Sequence, residues 1–407
     1  MAYRIAEIEL SEPLPTFALA PEQDGLAVLA RWKSRLAGFH MASATPGYAF
    51  SAEEIAALCA KRFGRRLIAL EVEAALAQRW PVSTLQAPSL TIAICTKDRA
   101  KRLTRLLDSL QPVVATSRFC ATELLVIDNA SVDSATRDAV VAFAGVRYLF
   151  EPRAGLDFAR NAAVRNATGD LLAFLDDDVV VDRDWLDGLF AAWQGCPEAG
   201  GFSGLVLPYR LDTEAQVQFE LRGGFGRGFE SRTFHAASAE NPLHPVGSGV
   251  IGAGCNMAFD RSLLLALGGF DEALDTGAPL PGGGDLDIFY RVLRSGRAII
   301  YEPRYAVYHE HRETLPQLKR QYWTWGLGFM AFLAKSRRSD PVLKHKQAAI
   351  LRWWLLDKLA DLAVAACCLR FRELGFLTAE LRGGIVGMAG EYDRSLKRVQ
   401  KIREQAS

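Results

Sequence analysis

The feature that most constrains this fold is a regular alternation between short apolar runs and segments with helical spacing, which begins at Leu90. The apolar run from Leu90 to Cys95 is typical of a strand, and the segment from Arg99 to Leu110 repeats leucine at helical spacing. The alternation continues with strand-like runs at Glu123 to Ile127, Val146 to Phe150 and Leu171 to Leu175, and with helical segments at Asp133 to Phe143 and Asp157 to Asn166. This order predicts an α/β fold in which helices cover both faces of a mostly parallel sheet.

Polar side chains follow three of these predicted strands at the point where each one ends. They occupy Thr96 to Arg99, Asp128 to Asp133 and Asp176 to Asp178. In open α/β sheets, ligands bind outside the carboxyl ends of the strands. We therefore expect these three clusters to meet at one ligand-binding edge.

The acidic triplet Asp176 to Asp178 comes directly after the strand-like run LLAFL. Carboxylates at this spacing repel one another and raise one another's pKa unless a cation neutralises them. A divalent ion held by one or two carboxylates and by substrate phosphates would satisfy the triplet. The alternative is a solvated acidic turn without a ligand.

The 407-residue chain is too long for one ordinary domain. Ser51 and Glu54 form a capping-box pattern that predicts a helix from Ala52 to Phe63, and a linker is expected over Trp80 to Ser89. We predict an N-terminal α+β accessory domain at residues 1–88, a catalytic domain at 89–315 and a helical region at 316–407.

Charge and cysteine content exclude several classes of protein. With 48 Lys and Arg against 47 Asp and Glu, nothing indicates a nucleic-acid partner. The seven cysteines lack zinc-site spacing and are typical of a reducing compartment. The first residues lack the features of a signal peptide, and the longest apolar runs are too short to span a membrane. We expect a cytoplasmic protein, with at most a peripheral contact at the inner membrane face.

Four segments, in this order, resemble the motifs of family-2 inverting glycosyltransferases with the GT-A fold. The segments are CTKDR (Cys95 to Arg99), VIDNASVD (Val126 to Asp133), GLDFARNAAVRNATGDLLAFLDDD (Gly155 to Asp178) and GGGDLDIFYR (Gly282 to Arg291). The resemblance implies a nucleotide-diphosphate sugar donor, a Mn²⁺ or Mg²⁺ ion, and inversion by one direct displacement. It also implies a sugar or lipid-linked acceptor and a place in the synthesis of polysaccharide, glycolipid or glycoconjugate, such as cell envelope polysaccharide.

The resemblance assigns roles to residues around the three strand ends. It implies that Asp178 binds the metal directly, with Asp176 beside it, and that Asp177 touches the ribose or sugar of the donor. The remaining nucleotide-sugar contacts that it implies are Thr96, Arg99, Asp128, Arg160 and Asn161. For Asp128 the alternative is a structural role in its own turn, because Asp commonly hydrogen-bonds the backbone two residues on.

A second acidic cluster, Asp285 and Asp287, supplies candidates for the general base that takes the acceptor's proton. In the family this motif usually reads Glu-Asp with the Asp as base, whereas here Gly284 stands where the Glu is expected. Asp285 keeps the aligned position. The alternative is that both carboxylates complement the dipole at a helix start.

His309 and His311 flank Glu310, and both histidines face the same way if the segment is extended. The resemblance implies a histidine here that completes the metal site or touches the phosphates, and it favours His311. A polar histidine without a ligand is the alternative.

The segment Gln321 to Trp325 partly matches the Gln-x-x-Arg-Trp motif of processive synthases, but Thr324 replaces the Arg, so we predict a single transfer. Tyr322 to Arg338 mixes aromatic, apolar and basic residues. It suits either a helix on a membrane surface or a helix packed on the catalytic domain, and stripes of this kind usually lie in a core.

Two other functions compete with sugar transfer. A nucleotidyltransferase would need a Gly-rich loop after the first strand to hold a triphosphate, and Cys95 to Arg105 contains no glycine. A non-catalytic relative that only binds nucleotide sugars has Gly284 in its favour and the intact acidic triplet against it.

Overall fold

The structure is a computed structural model, and it describes residues 1–77, 79, 85–237, 242–277 and 279–405. Residues 80–84 of the predicted linker lie outside the described residues. The strands are β1 Arg4–Glu9, β2 Phe17–Ala18, β3 Gly25–Trp32, β4 Arg35–Ser43, β5 Ala49–Phe50, β6 Ser89–Thr96, β7 Ala121–Asn129, β8 Val146–Glu151, β9 Leu171–Asp176, β10 Val179–Val181, β11 Gly201–Pro208, β12 Arg232–Phe234, β13 Asn256–Asp260 and β14 Ile299–His309.

Helices separate most of the catalytic strands and make up the C-terminal region. They are α1 Ala52–Ala77, α2 Ala100–Ala115, α3 Ala135–Val141, α4 Leu156–Asn166, α5 Trp185–Gly195, α6 Glu214–Leu221, α7 Arg261–Ala266, α8 Gly284–Arg294, α9 Leu315–Ser339, α10 Lys344–Cys367, α11 Phe371–Val386 and α12 Tyr392–Gln405.

The main sheet has the strand order β10-β14-β11-β13-β9-β6-β7-β8, and β12 pairs with β14. One half of the sheet, β9-β6-β7-β8, is entirely parallel, as predicted. The other half is mixed, because β13 runs antiparallel to both β9 and β11 while β11 and β14 are parallel. The predicted α/β class is therefore confirmed, with a mixed sheet in place of a mostly parallel one.

Apolar side chains cover both faces of this sheet. On one face, Leu103 and Leu107 of α2 and Trp185 of α5 are buried against the strands. On the other face, Phe289 of α8 lies in a cluster with Phe174 and its neighbours. Burial on both sides explains why the central strands are continuously apolar, and it leaves only the strand ends open to a ligand.

The N-terminal residues form a three-stranded sheet, β1-β3-β4, covered by α1. The predicted capping box is present, since the Glu54 amide donates to Ser51 Oγ (3.2 Å) and the Ser51 amide donates to Glu54 Oε2 (2.9 Å). The helix runs on to Ala77, well past the predicted end at Phe63. The domain boundaries themselves stay predictions.

The N-terminal sheet is joined to the catalytic sheet by a shared core and by a buried ion pair. Leu29 and Leu36 lie in one buried cluster with Leu205 and Tyr301. Arg31 of β3 reaches across to Asp182, just after β10. The N-terminal unit therefore packs firmly on the strand β14 side of the catalytic sheet.

The C-terminal helices cross at very short distance because glycine occupies the crossings. A Cβ on Gly326 of α9 would overlap the backbone carbonyl of Glu380 in α11, and a Cβ on Gly383 would overlap that of Trp323. Buried residues of α9 include Tyr322, Leu327 and Phe332. The segment Tyr322 to Arg338 is therefore a packed helix, which was the favoured alternative.

Across the described part of the chain, every helix is too short or too polar to cross a membrane.

Candidate active site

Strand register brings the first two polar clusters to the acidic triplet. Cys95 pairs with Asp176 and Thr96 pairs with Asp128, so the ends of β6, β7 and β9 lie side by side. The loops after β6 and β7 are tied together, because the Asp98 amide donates to Ser131 Oγ at 3.0 Å. The predicted meeting of the strand ends is thus what the fold produces.

Asp177 is fixed between the two residues predicted in the first loop. Thr96 Oγ1 donates to Asp177 Oδ2 at 2.7 Å, and Arg99 Nη1 donates to Asp177 Oδ1 at 2.9 Å. Burial raises the pKa of Asp177 above its usual range, and Arg99 opposes that rise. These contacts engage both oxygens of Asp177, which therefore anchors the loop after β6.

Asp176 lies at the mouth of the cleft, with 34% of its side chain exposed. Desolvation in the cleft raises its pKa to about 7, Asp178 and Asp177 add to the rise, and Arg160 lowers it. A carboxyl group in this state gains from a bound cation, which would keep it ionised at neutral pH.

Asp178 is the carboxylate of the triplet with a free oxygen. It is 4% exposed, and within the described residues its Oδ1 has no hydrogen-bond partner. His309 Nε2 lies 3.4 Å from that oxygen. Burial holds the pKa of His309 well below its usual range, so its ring is neutral, the form in which histidine binds metals.

His311 lies behind His309, away from the triplet. Its Nδ1 is 3.2 Å from Nδ1 of His309, and its Nε2 is 2.7 Å from Glu220 Oε1. The pairing of Val179 with His309 across β10 and β14 decides which histidine faces Asp178. The structure therefore places His309, and not the favoured His311, beside the predicted metal ligand.

Asp128 is buried and accepts two hydroxyl hydrogen bonds. Ser131 Oγ donates to its Oδ1, and Tyr148 donates to its Oδ2 at 2.7 Å. The first contact belongs to the structural alternative, in which Asp128 holds its own turn. Its contact with the nucleoside stays a prediction.

Asn161 occupies a supporting position. Its Nδ2 donates to the Phe270 carbonyl at 3.0 Å and its Oδ1 accepts from the Phe270 amide at 2.7 Å. Both ends of the amide are thus paired to the loop before α8, and the contact between Asn161 and the donor stays a prediction.

Arg160 lies between Asp176 at the end of β9 and Asp275 in the loop before α8. Its Nη1 donates to Asp157 Oδ1 at 3.0 Å and to Asp275 Oδ2 at 3.4 Å, and its Nη2 lies 3.9 Å from Asp176 Oδ1. The guanidinium also lies against Gly254, the residue whose amide donates to Asp285.

The two candidate bases have different surroundings. Asp285 is half-buried at the start of α8, where its Oδ2 accepts from the Gly254 amide at 3.2 Å and its Oδ1 from the Leu286 amide at 2.8 Å. Asp287 is fully buried and pairs with Arg291 at 2.7 Å and with Lys335. Both oxygens of Asp287 are engaged by cations, which disfavours its predicted catalytic role, and that role stays a prediction.

Sequence reasoning missed two carboxylates of this site, Asp157 and Asp275. Burial raises the pKa of Asp157 well above its usual range and that of Asp275 to about 6, while Arg160 lowers both. Asp157 stands three residues before Arg160 on α4, a spacing that could have drawn attention to it. Asp275 lies in an irregular loop and carries no comparable signal.

Comparison with known proteins gives a family match. Residues 91–232 match the model described as glycosyl transferase family 2. The chain is 25% identical over 321 residues to the pre-mycofactocin glycosyltransferase of Mycobacterium tuberculosis, covering 75% of this chain and 63% of that protein. It is 27% identical over 184 residues to the succinoglycan biosynthesis protein ExoM of Rhizobium meliloti, covering 44% and 54%. The chain thus spans less than two thirds of the length of these relatives.

Among solved structures, the mannosyltransferase PcManGT from Pyrobaculum calidifontis, in complex with GDP-Man and Mn²⁺, is 20% identical. The similarity covers 81% of this chain and 97% of that one, with a TM-score of 0.47. The family match itself spans β6 to β12, the segment that carries Thr96, Asp128 and the acidic triplet. Residues 91–232, which form part of the mixed sheet and carry the acidic triplet, thus match glycosyl transferase family 2.

Proposed function

We propose that this protein transfers a sugar from a nucleotide-diphosphate sugar to an acceptor hydroxyl, with inversion at the anomeric carbon. The observation that carries the proposal is Asp178, a buried carboxylate at a strand end whose Oδ1 has no hydrogen-bond partner within the described residues. A buried polar oxygen without a partner is costly unless a ligand supplies one. Its position beside neutral His309 indicates that the ligand is a cation.

A divalent cation, Mn²⁺ or Mg²⁺, fits these residues, with Asp178 and His309 as the side chains that would hold it. Across the described residues, no three potential ligand side chains form a closed metal centre. That suits an ion that arrives with the donor, because Mg²⁺ is usually held by one or two carboxylates together with substrate phosphates. When bound, the ion would stabilise the charge that develops on the leaving diphosphate. Asp176 at the cleft mouth stays a candidate third ligand, and His311 stays a prediction behind His309.

The donor's nucleoside belongs, in this proposal, on the β6 and β7 side of the cleft. Thr96, Arg99 and Asp177 form one hydrogen-bonded group there, and Asp128 lies beside them in the sheet register. Arg99 is 43% exposed, so its guanidinium is open to a phosphate or ribose while one nitrogen holds Asp177.

Asp285 is the general base of the proposed reaction. It is half-buried at the first turn of α8, and the Gly254 and Leu286 amides orient its carboxylate. A carboxylate held in this way can accept the acceptor hydroxyl's proton as the oxygen attacks the sugar. The ion pairs of Asp287 with Arg291 and Lys335 favour Asp285 over Asp287 for that role.

The first test is donor turnover. Purified protein is incubated with a panel of nucleotide sugars, with Mn²⁺, Mg²⁺ or EDTA, and release of the nucleoside diphosphate is measured. We expect release from at least one donor in the presence of metal only. The matched variants are Asp178→Ala and Asp187→Ala, which removes an exposed carboxylate on α5 and so controls for the loss of one negative charge. Diphosphate release that persists in EDTA would contradict the metal-assisted mechanism.

The same panel separates the competing functions. A nucleotidyltransferase would release pyrophosphate from a nucleoside triphosphate, and the loop after β6 lacks the glycines that hold a triphosphate. A non-catalytic relative would bind a nucleotide sugar, with heat detected by calorimetry, and release nothing.

We also propose a sugar or lipid-linked acceptor, a role in glycoconjugate or cell envelope polysaccharide synthesis, and a cytoplasmic location with peripheral contact at the inner membrane face. The name of the relative ExoM supports the polysaccharide role. The membrane contact no longer rests on α9, which is packed, but on α10. That helix exposes Trp353 at 51%, Leu356 at 61% and Leu359 at 56%, with Arg352 beside them.

Sedimentation with vesicles of anionic phospholipid tests this contact. Apolar residues and a tryptophan on a basic helix bind a membrane interface. We expect Trp353→Glu with Leu356→Glu to abolish co-sedimentation, and we expect Val132→Glu, an exposed apolar residue on the catalytic domain, to leave it unchanged. Wild-type protein that stays in the supernatant would remove the membrane contact and leave the sugar transfer proposal intact.

A further inference from the structure

Two buried carboxyl groups meet at the start of α8 and have no assigned role in the transfer. Asp275 Oδ2 accepts the Gly284 amide at 3.0 Å and the Arg160 guanidinium at 3.4 Å. Asp157 is 0% exposed, and its Oδ1 accepts from Arg160 at 3.0 Å. Within the described residues, Asp157 Oδ2 has no hydrogen-bond partner.

Both carboxyl groups point at the one position of α8 that has no side chain. A Cβ on Gly284 would overlap Asp275 Oδ2 and would lie 2.5 Å from Asp157 Oδ2. Gly283 has a left-handed φ of 104°, whereas Gly284 does not have a positive φ. The backbone conformation at residue 284 therefore does not require glycine, and the nearest atoms that a Cβ would meet there belong to the two carboxyl groups.

The same space connects the two halves of the site. Arg160 extends from Asp157 and Asp275 to within 3.9 Å of Asp176 at the mouth of the cleft. The Gly284 amide held by Asp275 directly precedes Asp285 in the chain. A shift of Asp275 would thus move both the first turn of α8 and the guanidinium beside Asp176.

We propose that Asp275 is a positioning residue of the transfer site, which supplies from a neighbouring loop the carboxylate that residue 284 lacks. Asp275 holds the first turn of α8, and with it Asp285, through the Gly284 amide. Asp275 also binds Arg160 together with Asp157, and so keeps the guanidinium between Asp176 and Asp285. The proposal rests on the sugar transfer proposed above.

Removal of the Asp275 carboxylate tests this positioning role directly. Asp275→Ala should lower kcat about 100-fold, because misplacement of a catalytic group by about 1 Å costs that much, and should change nucleotide affinity less than threefold. Gly284→Asp alone should also lose activity, since its carboxylate competes for occupied space.

Asp271→Asn and Asp275→Asn form the matched pair. Asp271 lies in the same loop and accepts from Tyr392 at 2.8 Å, outside the cleft. We expect Asp271→Asn to keep kcat within threefold of wild type, and Asp275→Asn to lower it about tenfold or more. Equal kcat values for these two variants would overturn the positioning role.

Hydrogen exchange gives a readout that does not depend on turnover. Asp275→Ala should speed exchange of the amides in the first turn of α8, and protection there equal to wild type would overturn the proposal even if Asp275→Ala were inactive. A wild-type protein that releases no nucleotide from any donor would instead defeat the proposed function. The exchange result would still decide whether Asp275 holds α8.

Discussion

Two buried arginines of this protein face carboxylates, and they differ in whether their networks are closed. Arg31 is 2% exposed, and it donates to Glu7 at 2.7 Å, to the Ser34 carbonyl at 2.9 Å, to the Tyr308 hydroxyl at 3.0 Å and to Asp182. Arg160 is 4% exposed and faces the carboxyls of Asp157, Asp275 and Asp176, one of which keeps an oxygen without a partner among the described residues. The first network is complete within the protein, whereas the second is short of partners.

The difference between the two networks indicates a different role for each arginine. Arg31 joins the N-terminal sheet to the catalytic sheet, and burial of the Asp182 carboxylate is offset by its hydrogen bonds. A buried ion pair adds little net stability, but removal of one partner leaves an uncompensated charge. Around Arg160 the negative groups exceed the positive one at the edge of a cleft, an arrangement typical of sites whose ligands bring the missing partners.

The largest effect on sugar transfer is expected at Asp178, among the carboxylates that keep an oxygen without a partner in the described part of the chain. Asp178→Ala should lower transfer about 10³-fold or more and remove metal-dependent nucleotide binding, because the variant loses the unpaired oxygen that would face the cation. Calorimetry with and without Mn²⁺, together with donor turnover, measures both effects. Thermal unfolding should be near wild type, and full activity in EDTA-treated buffer would contradict the metal site.

The second-largest effect on sugar transfer is expected at Asp285, the proposed general base. Asp285→Asn should lower kcat by about 10²–10⁴ and leave donor affinity nearly unchanged, because the carboxylate acts on the acceptor. Asp287→Asn is the counterpart, and we expect it to reduce stability rather than chemistry, since Lys335 and Arg291 lose a buried partner. If Asp287→Asn proved the more damaging change to kcat in folded protein, the assignment within the motif would be wrong.

Substitution of each buried arginine by methionine should have a different effect, on stability for Arg31 and on turnover for Arg160. Arg31→Met should reduce the free energy of unfolding by about 3–5 kcal/mol, because Asp182 stays buried without its cation, while kcat of the folded protein is unchanged. Arg160→Met should instead lower kcat about 10–100-fold, because it displaces the groups around Asp285. Urea unfolding and steady-state kinetics on both variants measure this, and a large kcat effect for Arg31→Met would erase the distinction.

The smallest effect concerns the exposed cap of α1. Ser51→Ala removes the hydroxyl that accepts from the Glu54 amide, so it should reduce the free energy of unfolding by about 1 kcal/mol. Turnover should not change, because α1 lies on the N-terminal sheet, outside the cleft. A change in donor KM would indicate that the N-terminal unit does more than brace the catalytic domain.

The sequence allowed prediction of the parallel half of the sheet and of the three polar clusters at its edge. There each strand is a short, continuously apolar run followed by a helix, and parallel neighbours bring consecutive strand ends together. The other half was not predicted, because β11, β13 and β14 are joined by long connections without such a pattern.

Within the site, the missed assignments depended on long-range pairing. Alternation along an extended segment gave His309 and His311 a common side, but the pairing of β10 with β14 decided that His309 is the one at Asp178. Gly284 stands where the family motif has a carboxylate, and the local sequence gives no sign that Asp275 occupies the space beside it from another loop. A carboxylate that is supplied from a distant loop leaves no pattern in the local sequence.

The glycine crossings of the C-terminal helices have a consequence for how this protein can diverge. Gly328 of α9 lies against the backbone of Gly282 and Gly283, and Gly326 of the same helix lies against Glu380 of α11. At each crossing even a methyl group would meet backbone, which cannot move aside as a flexible side chain can. Neither helix can then be exchanged for a homologous one without its partner surface. The loop before Asp285, α9 and α11 are therefore inherited as one unit, and viable chimaeras should have their junctions outside residues 282–384.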